Sequence, residues 1–92
     1  RKWNPTRQKS NYLGNYFVNS FCKYFFCNKC TSLESLEGAP QRIAKLLDCT
    51  NCTSLKSLKG IDWVGDHLNC RGCDKIVDIS GIQDCVGGEI YR

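Results

Sequence analysis

The sequence predicts a solenoid, in which short parallel strands stack into one sheet and loops carry the chain from each strand to the next. The pattern Cys-x-x-Cys begins at Cys27, Cys49 and Cys70, so the copies recur at a nearly constant spacing. Each pair is followed by two apolar residues three positions apart and then by a glycine. Such a period is typical of repeat proteins, because one unit cannot bury its own apolar face and must stack on its neighbours.

One repeat template accounts for residues 25–92, which form the predicted repeat domain. An apolar residue opens each copy, and the first cysteine follows two positions later, so both side chains point to the same side of a strand. Loops or short 3₁₀ turns are expected to form the convex side. There are about three repeats, and the fourth is truncated at Arg92, so we expect the chain to be a piece of a longer array. Strands are predicted near residues 25–28, 47–50, 68–71 and 89–91.

Two segments resemble a known type of short leucine-rich repeat. They are Ser35-Leu36-Glu37-Gly38-Ala39-Pro40 and Val86-Gly87-Gly88-Glu89-Ile90-Tyr91-Arg92. Repeats of this type occur in bacteria, large DNA viruses, tailed phages and some protists. The resemblance covers residues 25–92 and implies a leucine-rich-repeat solenoid, in which the second cysteine of each pair stands where such repeats place Asn or Cys. It implies almost nothing about function, and Ile61-Asp62-Trp63 departs from the family's Ala-Pro.

Residues 1–24 differ in composition and are predicted to form a basic, aromatic arm and cap. Residues 1–33 contain six basic residues and no acidic residue, although the whole chain has a net charge of only +4. The spacing of Leu13, Phe17, Phe21 and Tyr24/Phe25 predicts a short capping helix within residues 11–25, although Gly14 disfavours it. The aromatic residues from Tyr12 onward are interpreted as a cap on the open end of the core. Contact with nucleic acid or an acidic partner is assigned to Arg1, Lys2, Trp3, Arg7 and Lys9.

The cysteines allow two main interpretations, and a third, disulfides between neighbouring coils under oxidation, stays open because stacked strands lie close enough for them. As a zinc site, Cys27, Cys30, Cys49 and Cys52 form two Cys-x-x-Cys pairs whose separation fits the zinc-ribbon pattern. As packing residues, they are small side chains at equivalent places in a repeat. The second interpretation is favoured, because the residues between the pairs repeat too and a third pair would be left over. It implies no cofactor and an intracellular, reducing compartment, compatible with a virion or an organelle assembly.

The predicted function is a non-catalytic interaction or scaffold module, a subunit or fragment of a larger assembly. No nucleophile with an adjacent base and no phosphate-binding loop is visible, so an enzyme is not predicted. No stretch approaches the roughly 20 apolar residues of a membrane helix. The expected partner is a protein on the concave strand surface, with nucleic acid a further candidate for the arm. The alternative is a zinc-dependent module that binds nucleic acid. The predicted surface residues are Phe26, Asn28, Asp48, Thr50, Asn69, Arg71 and Tyr91.

Overall fold

Five short strands form one parallel sheet, which winds into a β-solenoid of about three turns. The computed structural model describes residues 7–14 and 21–92, apart from the side chain of Ser80. The strand order in the sheet is β1-β2-β4-β5, and β3 pairs with the first part of β2. The elements are β1 (Phe21–Phe26), β2 (Arg42–Asp48), β3 (Trp63–Val64), β4 (His67–Asn69), α1 (Ser80–Gln83) and β5 (Ile90–Tyr91).

The strand register confirms the repeat template. Phe25 pairs with Leu47, Leu47 with Leu68, and Leu68 with Ile90, so the opening apolar residues of successive coils lie side by side. The first three are buried and Ile90 is half-buried. Stacking at nearly equal coil length therefore builds one continuous core row. A second row runs parallel to it through Cys22, Ile43, Val64 and Val86.

Each coil leaves its strand through the Cys-x-x-Cys segment, which forms a tight turn. The amide of the second cysteine donates to the carbonyl oxygen of the first, at 3.2 to 3.3 Å in all three copies. The residue before the second cysteine has a positive φ: 65° at Lys29, 61° at Asn51 and 80° at Gly72. Turns of this kind favour Gly or Asn at that position, because other side chains crowd the backbone there. Lys29 is the exception among the three copies.

Buried aliphatic side chains close the core on the side opposite the sheet. They come in pairs three residues apart, and the second pair, Leu55 and Leu58, is followed by Gly60. Gly60 has a φ of 117°, and a Cβ there would collide with the carbonyl oxygen of Leu36 in the preceding coil. The close approach of successive coils at this point therefore requires glycine. The other two pairs are Leu33/Leu36 and Ile76/Ile79, of which Ile79 is only partly buried.

Residues 11–14 form a partial coil beneath the first complete one. The amide of Glu34 donates to the carbonyl oxygen of Asn11 at 2.8 Å, as Lys56 donates to Glu34 one coil later at 2.9 Å. Leu13 is 6% exposed and belongs to the core. A backbone that repeats the next coil's hydrogen bonding thus covers the loop side of the first coil.

The predicted capping helix is wrong where the structure describes it. Residues 11–14 are not helical, and residues 21–25 lie in β1; residues 15–20 lie outside the described residues. The helical spacing of the aromatic residues was a misleading signal, because Phe21 and Phe25 also suit a strand. The first two strands begin several residues before the predicted positions: β1 starts at Phe21 and β2 at Arg42. Between the described strands the chain forms turns and extended segments, with α1 as one short helix.

Two glycine substitutions are expected to change stability in opposite directions. Gly60→Ala should lower the free energy of unfolding by about 2–4 kcal/mol, because the new Cβ meets backbone at a positive φ. Gly81→Ala should raise it by about 0.5–1 kcal/mol, because Gly81 lies in α1 with no atom within 4 Å of the added Cβ. Urea denaturation of both variants measures this, and a tolerated Gly60→Ala would contradict the close packing of coils.

Candidate functional site

The outward face of the sheet, called the sheet face below, carries the predicted partner-binding residues. The register pairs Phe26 with Asp48, Asp48 with Asn69, and Asn69 with Tyr91, so these four side chains form one row across the coils. They alternate with buried residues along each strand, as expected for a sheet with one face on the core. The remaining predicted residues, Asn28, Thr50 and Arg71, follow directly after the strands, the first two half-buried and Arg71 exposed.

Exposed aromatic side chains mark the β1 end of the sheet face. The rings of Tyr24 and Phe26 stack with centroids 5.9 Å apart and an interplanar angle of 6°. Tyr24 is 53% exposed and Phe26 is 48% exposed, which is unusual for large apolar side chains that pack together. Leu46 lies beside Tyr24 in the register and is half-buried. Large apolar rings left in water at one edge of a surface are typical of a contact site.

A second group of ring contacts lies at the β5 end. The guanidinium of Arg71 stands over the Tyr91 ring, 4.7 Å from its centroid, and the His67 ring lies 5.9 Å from the same centroid. The amide of Glu89 donates to Nδ1 of His67 at 3.1 Å, so this nitrogen carries no proton. The cation–π contact and the hydrogen bond hold these side chains in fixed positions.

Asp48 and Asn69 form turns as well as facing solvent. Asp48 Oδ1 accepts from the amide of Thr50 at 3.0 Å, and Asn69 Oδ1 accepts from the amide of Arg71 at 3.2 Å. These are the local side-chain bonds that Asp and Asn make at turns. Substitution of either residue would therefore disturb the end of its strand. Phe26, Arg71 and Tyr91 are the better candidates for contact with a partner.

The cysteine ladder comprises Cys27, Cys30, Cys49, Cys52, Cys70 and Cys73, all buried. Its second members bond to the preceding coil: Cys52 Sγ donates to the carbonyl oxygen of Cys27 at 3.0 Å, and Cys73 Sγ donates to that of Cys49 at 2.9 Å. Cys49 Sγ donates in the other direction, to the carbonyl oxygen of Asn69 at 3.3 Å. The thiols thus satisfy backbone groups between coils, as expected for packing residues.

The environment of the ladder keeps most of its thiols protonated. A hydrogen bond with Cys52, together with burial, raises the pKa of Cys27 and of Cys30. A hydrogen bond with Cys49 raises the pKa of Cys73, and burial raises that of Cys70. Cys52 differs, because hydrogen bonds from Cys27, Cys30 and Cys73 to its sulfur lower its pKa.

The residues of the zinc alternative are not arranged as a metal site. Cys27, Cys30, Cys49 and Cys52 are free thiols, and two of them donate to backbone carbonyl oxygens in different coils. Within residues 7–14 and 21–92, no group of three or more His, Cys, Asp or Glu side chains could hold a metal ion. The tetrahedral ligand set of a structural zinc site is therefore not found in this part of the chain.

The residues assigned to the arm are described only in part. Arg7 and Lys9 are exposed, whereas Arg1, Lys2 and Trp3 lie outside the described residues. Among the aromatic residues interpreted as a cap, Phe25 is buried, but Tyr12, Phe21 and Tyr24 are exposed. The cap interpretation is therefore wrong for those three, and Leu13 covers part of the core instead.

Tyr24 was missed by the sequence-based site assignment. The repeat template already placed Phe25 facing inward, and strand alternation then places Tyr24 and Phe26 outward. The helix prediction hid this signal, because it assigned Tyr24 to a helical face. An earlier strand boundary, at Phe21, would have found the aromatic pair.

No family model, curated protein or solved structure matches the chain. Among the described residues, the one helix is far too short to cross a membrane.

The ladder bonds predict a stability difference between two cysteine substitutions. Cys52→Ala should lower the free energy of unfolding by about 2–3 kcal/mol, because it removes a fully buried side chain and its bond to the preceding coil. Cys85→Ala is the matched control: Cys85 is half-buried and outside the ladder, and its loss should cost less than about 1 kcal/mol. Equal costs in urea denaturation under reducing conditions would contradict the structural role of the ladder.

The raised thiol pKa values predict a loss of stability at alkaline pH. In the unfolded chain a cysteine ionises near its ordinary pKa of 9.0, whereas Cys27, Cys30, Cys70 and Cys73 stay protonated in the fold. Above this pH the folded state binds more protons than the unfolded state, so stability falls as pH rises. Cys52, whose pKa is lowered, does not contribute to this alkaline loss.

Urea denaturation with reductant at pH values on either side of the ordinary thiol pKa tests this. The midpoint should drop on the alkaline side, and a constant midpoint would mean that the thiols ionise as easily in the fold as in the open chain.

Proposed function

We propose that this chain is a non-catalytic protein-interaction module that binds a partner through the sheet face. The observation that carries the proposal is the stacked, half-exposed pair Tyr24 and Phe26 at one end of that face. Aromatic residues and Arg are enriched where proteins bind one another, and the opposite end presents Arg71 over Tyr91. Rings that stand in water without covering core have a stability cost that a binding role would explain.

The repeat type supports the same proposal. We propose that residues 25–92 are leucine-rich repeats, because Cys52 and Cys73 stand at the position of Asn or Cys in such repeats and bond to the preceding coil. Repeat solenoids offer an extended surface whose side chains vary while the core stays constant. We further propose that the protein serves as a scaffold subunit in a larger assembly and works in a reducing compartment, where eight thiols stay free.

The arm is a second contact in this proposal. Arg7 and Lys9 are exposed at the start of the described chain, next to the partial coil of residues 11–14. Their charge suits nucleic acid or an acidic protein, and the arm would add affinity to whatever the sheet face binds.

A display library of short random peptides tests the proposal on the purified chain. Peptides enriched on the wild-type protein should bind the double variant Phe26→Ser/Arg71→Ser at least about tenfold more weakly, because it removes one contact from each end of the sheet face. Val77→Ser/Lys75→Ser is the matched control: it removes one apolar and one basic side chain, both exposed, from the loop side of the last coil. Fluorescence polarisation measures the affinities.

Urea denaturation must show that both double variants keep the wild-type fold. Enriched peptides that bind the sheet-face variant as well as the control would place the binding surface elsewhere and overturn the proposal.

A further inference from the structure

Four exposed residues in β1 and in the turn that follows it form what we call the β1 patch: Lys23, Tyr24, Phe26 and Lys29. Tyr24 and Phe26 supply the stacked rings, and Lys23 and Lys29 stand on either side of them in the sequence. We propose that the β1 patch docks an acidic segment of a partner protein that carries apolar side chains among its carboxylates. The inference rests on the proposed function and adds the chemistry of the partner.

The charge around the β1 patch favours an acidic partner. Residues 21–33 contain two lysines and no acidic residue. Lys45 and Lys56, in the next coil, lie 3.9 Å from an Asp66 oxygen and 3.5 Å from a Glu34 oxygen. Neither Lys23 nor Lys29 has an ion pair of this kind within the described part of the chain. Their positive charge is therefore left for a partner, and it favours an acidic one.

The backbone conformation of Lys29 points to a functional role independently of its charge. Lys29 has a φ of 65°, at the turn position that Asn51 and Gly72 occupy in the next two coils. Asn and Gly adopt this conformation readily, whereas Lys is strained there. A residue that costs stability at a position where the same chain elsewhere uses better ones points to a role in function.

The ring geometry favours a protein over nucleic acid. Bases bind aromatic side chains by stacking on open ring faces. The Tyr24 and Phe26 rings are parallel and 5.9 Å apart, so each covers one face of the other and no base fits between them. Together they present a continuous apolar surface, which suits a Leu, Ile or Phe side chain.

Lys29→Asn separates binding from folding. This variant copies Asn51, so its urea midpoint should equal or exceed that of the wild type, while its affinity for an acidic peptide should fall. Lys75→Asn is the matched control, since it removes an exposed lysine from the last coil and should leave affinity unchanged. A second variant, Tyr24→Ser, should lower the affinity for the same peptide without changing the salt dependence of binding, because it removes an apolar contact and no charge.

The probes are a synthetic peptide of alternating Glu and Leu, its counterpart with Gln in place of Glu, and oligouridine. We expect the acidic peptide to bind at least about tenfold more tightly than the Gln peptide. Its affinity should fall with added salt, and Lys29→Asn should lower that affinity about threefold to tenfold. Equal binding of the acidic and Gln peptides would overturn the inference, and so would failure of Lys29→Asn to change affinity. Oligouridine that binds more tightly than the acidic peptide and is released by Lys29→Asn would make the ligand nucleic acid instead.

The peptide library distinguishes failure of this inference from failure of the proposed function. If the enriched peptides bind through the sheet face but are neutral or basic, only the inference of an acidic partner is overturned. If the enriched peptides bind equally well to the sheet-face variant, both this inference and the proposed function are overturned.

Discussion

The stacking of nearly equal coils in register is the constraint on which the rest of this structure depends. Leu47 lies in the core row between Phe25 and Leu68 only because the chain returns to the same height on the sheet at the end of each coil. The backbone hydrogen bonds that join the strands continue beyond the strand ends. The amide of Cys49 donates to the carbonyl oxygen of Asn69 at 2.8 Å, and the amide of Asn51 donates to the carbonyl oxygen of Arg71 at 2.7 Å. An insertion within one coil would move its apolar residues out of their rows, so coil length, core and turn geometry are fixed together.

The cysteines follow from this constraint. The turn after each strand brings a side chain back toward the preceding coil, in a space that admits a small residue and needs a donor. A thiol fits, because it packs like a small apolar group and still donates weakly to a carbonyl oxygen, as Cys52 does to Cys27. Burial and mutual hydrogen bonds in turn raise the pKa of Cys27 and Cys30 and keep them protonated, whereas the pKa of Cys52 is lowered. The regular spacing of the cysteines is therefore the length of one coil rather than the geometry of a metal site.

The core is constant from coil to coil, and so the differences between coils concentrate on the sheet face. One row changes from Phe26 through Asp48 and Asn69 to Tyr91, while the buried row beside it stays apolar. Asp48 and Asn69 serve their own turns, which leaves the two ends of the face as its distinctive features. The β1 end combines exposed rings with lysines that have no ion pair among the described residues, and the β5 end fixes Arg71 over Tyr91. This arrangement is the basis of the proposal that a partner binds across the strands.

The sequence by itself determined the solenoid, its coil length and its core rows, because so regular a period leaves only stacking to bury Leu47, Leu55 and Leu68. It also placed Asp48 on the outward surface, by strand alternation alone. Only the tertiary structure decided that residues 21–24 are strand rather than helix, because their spacing suits a helix and their aromatic composition suits a strand, and pairing with β2 decides between the two. It alone showed Leu13 in the core and Tyr24 in solvent, since both depend on what lies beside them in space. The strain at Lys29 was equally invisible in the sequence, because it arises from the turn that stacking imposes on every coil.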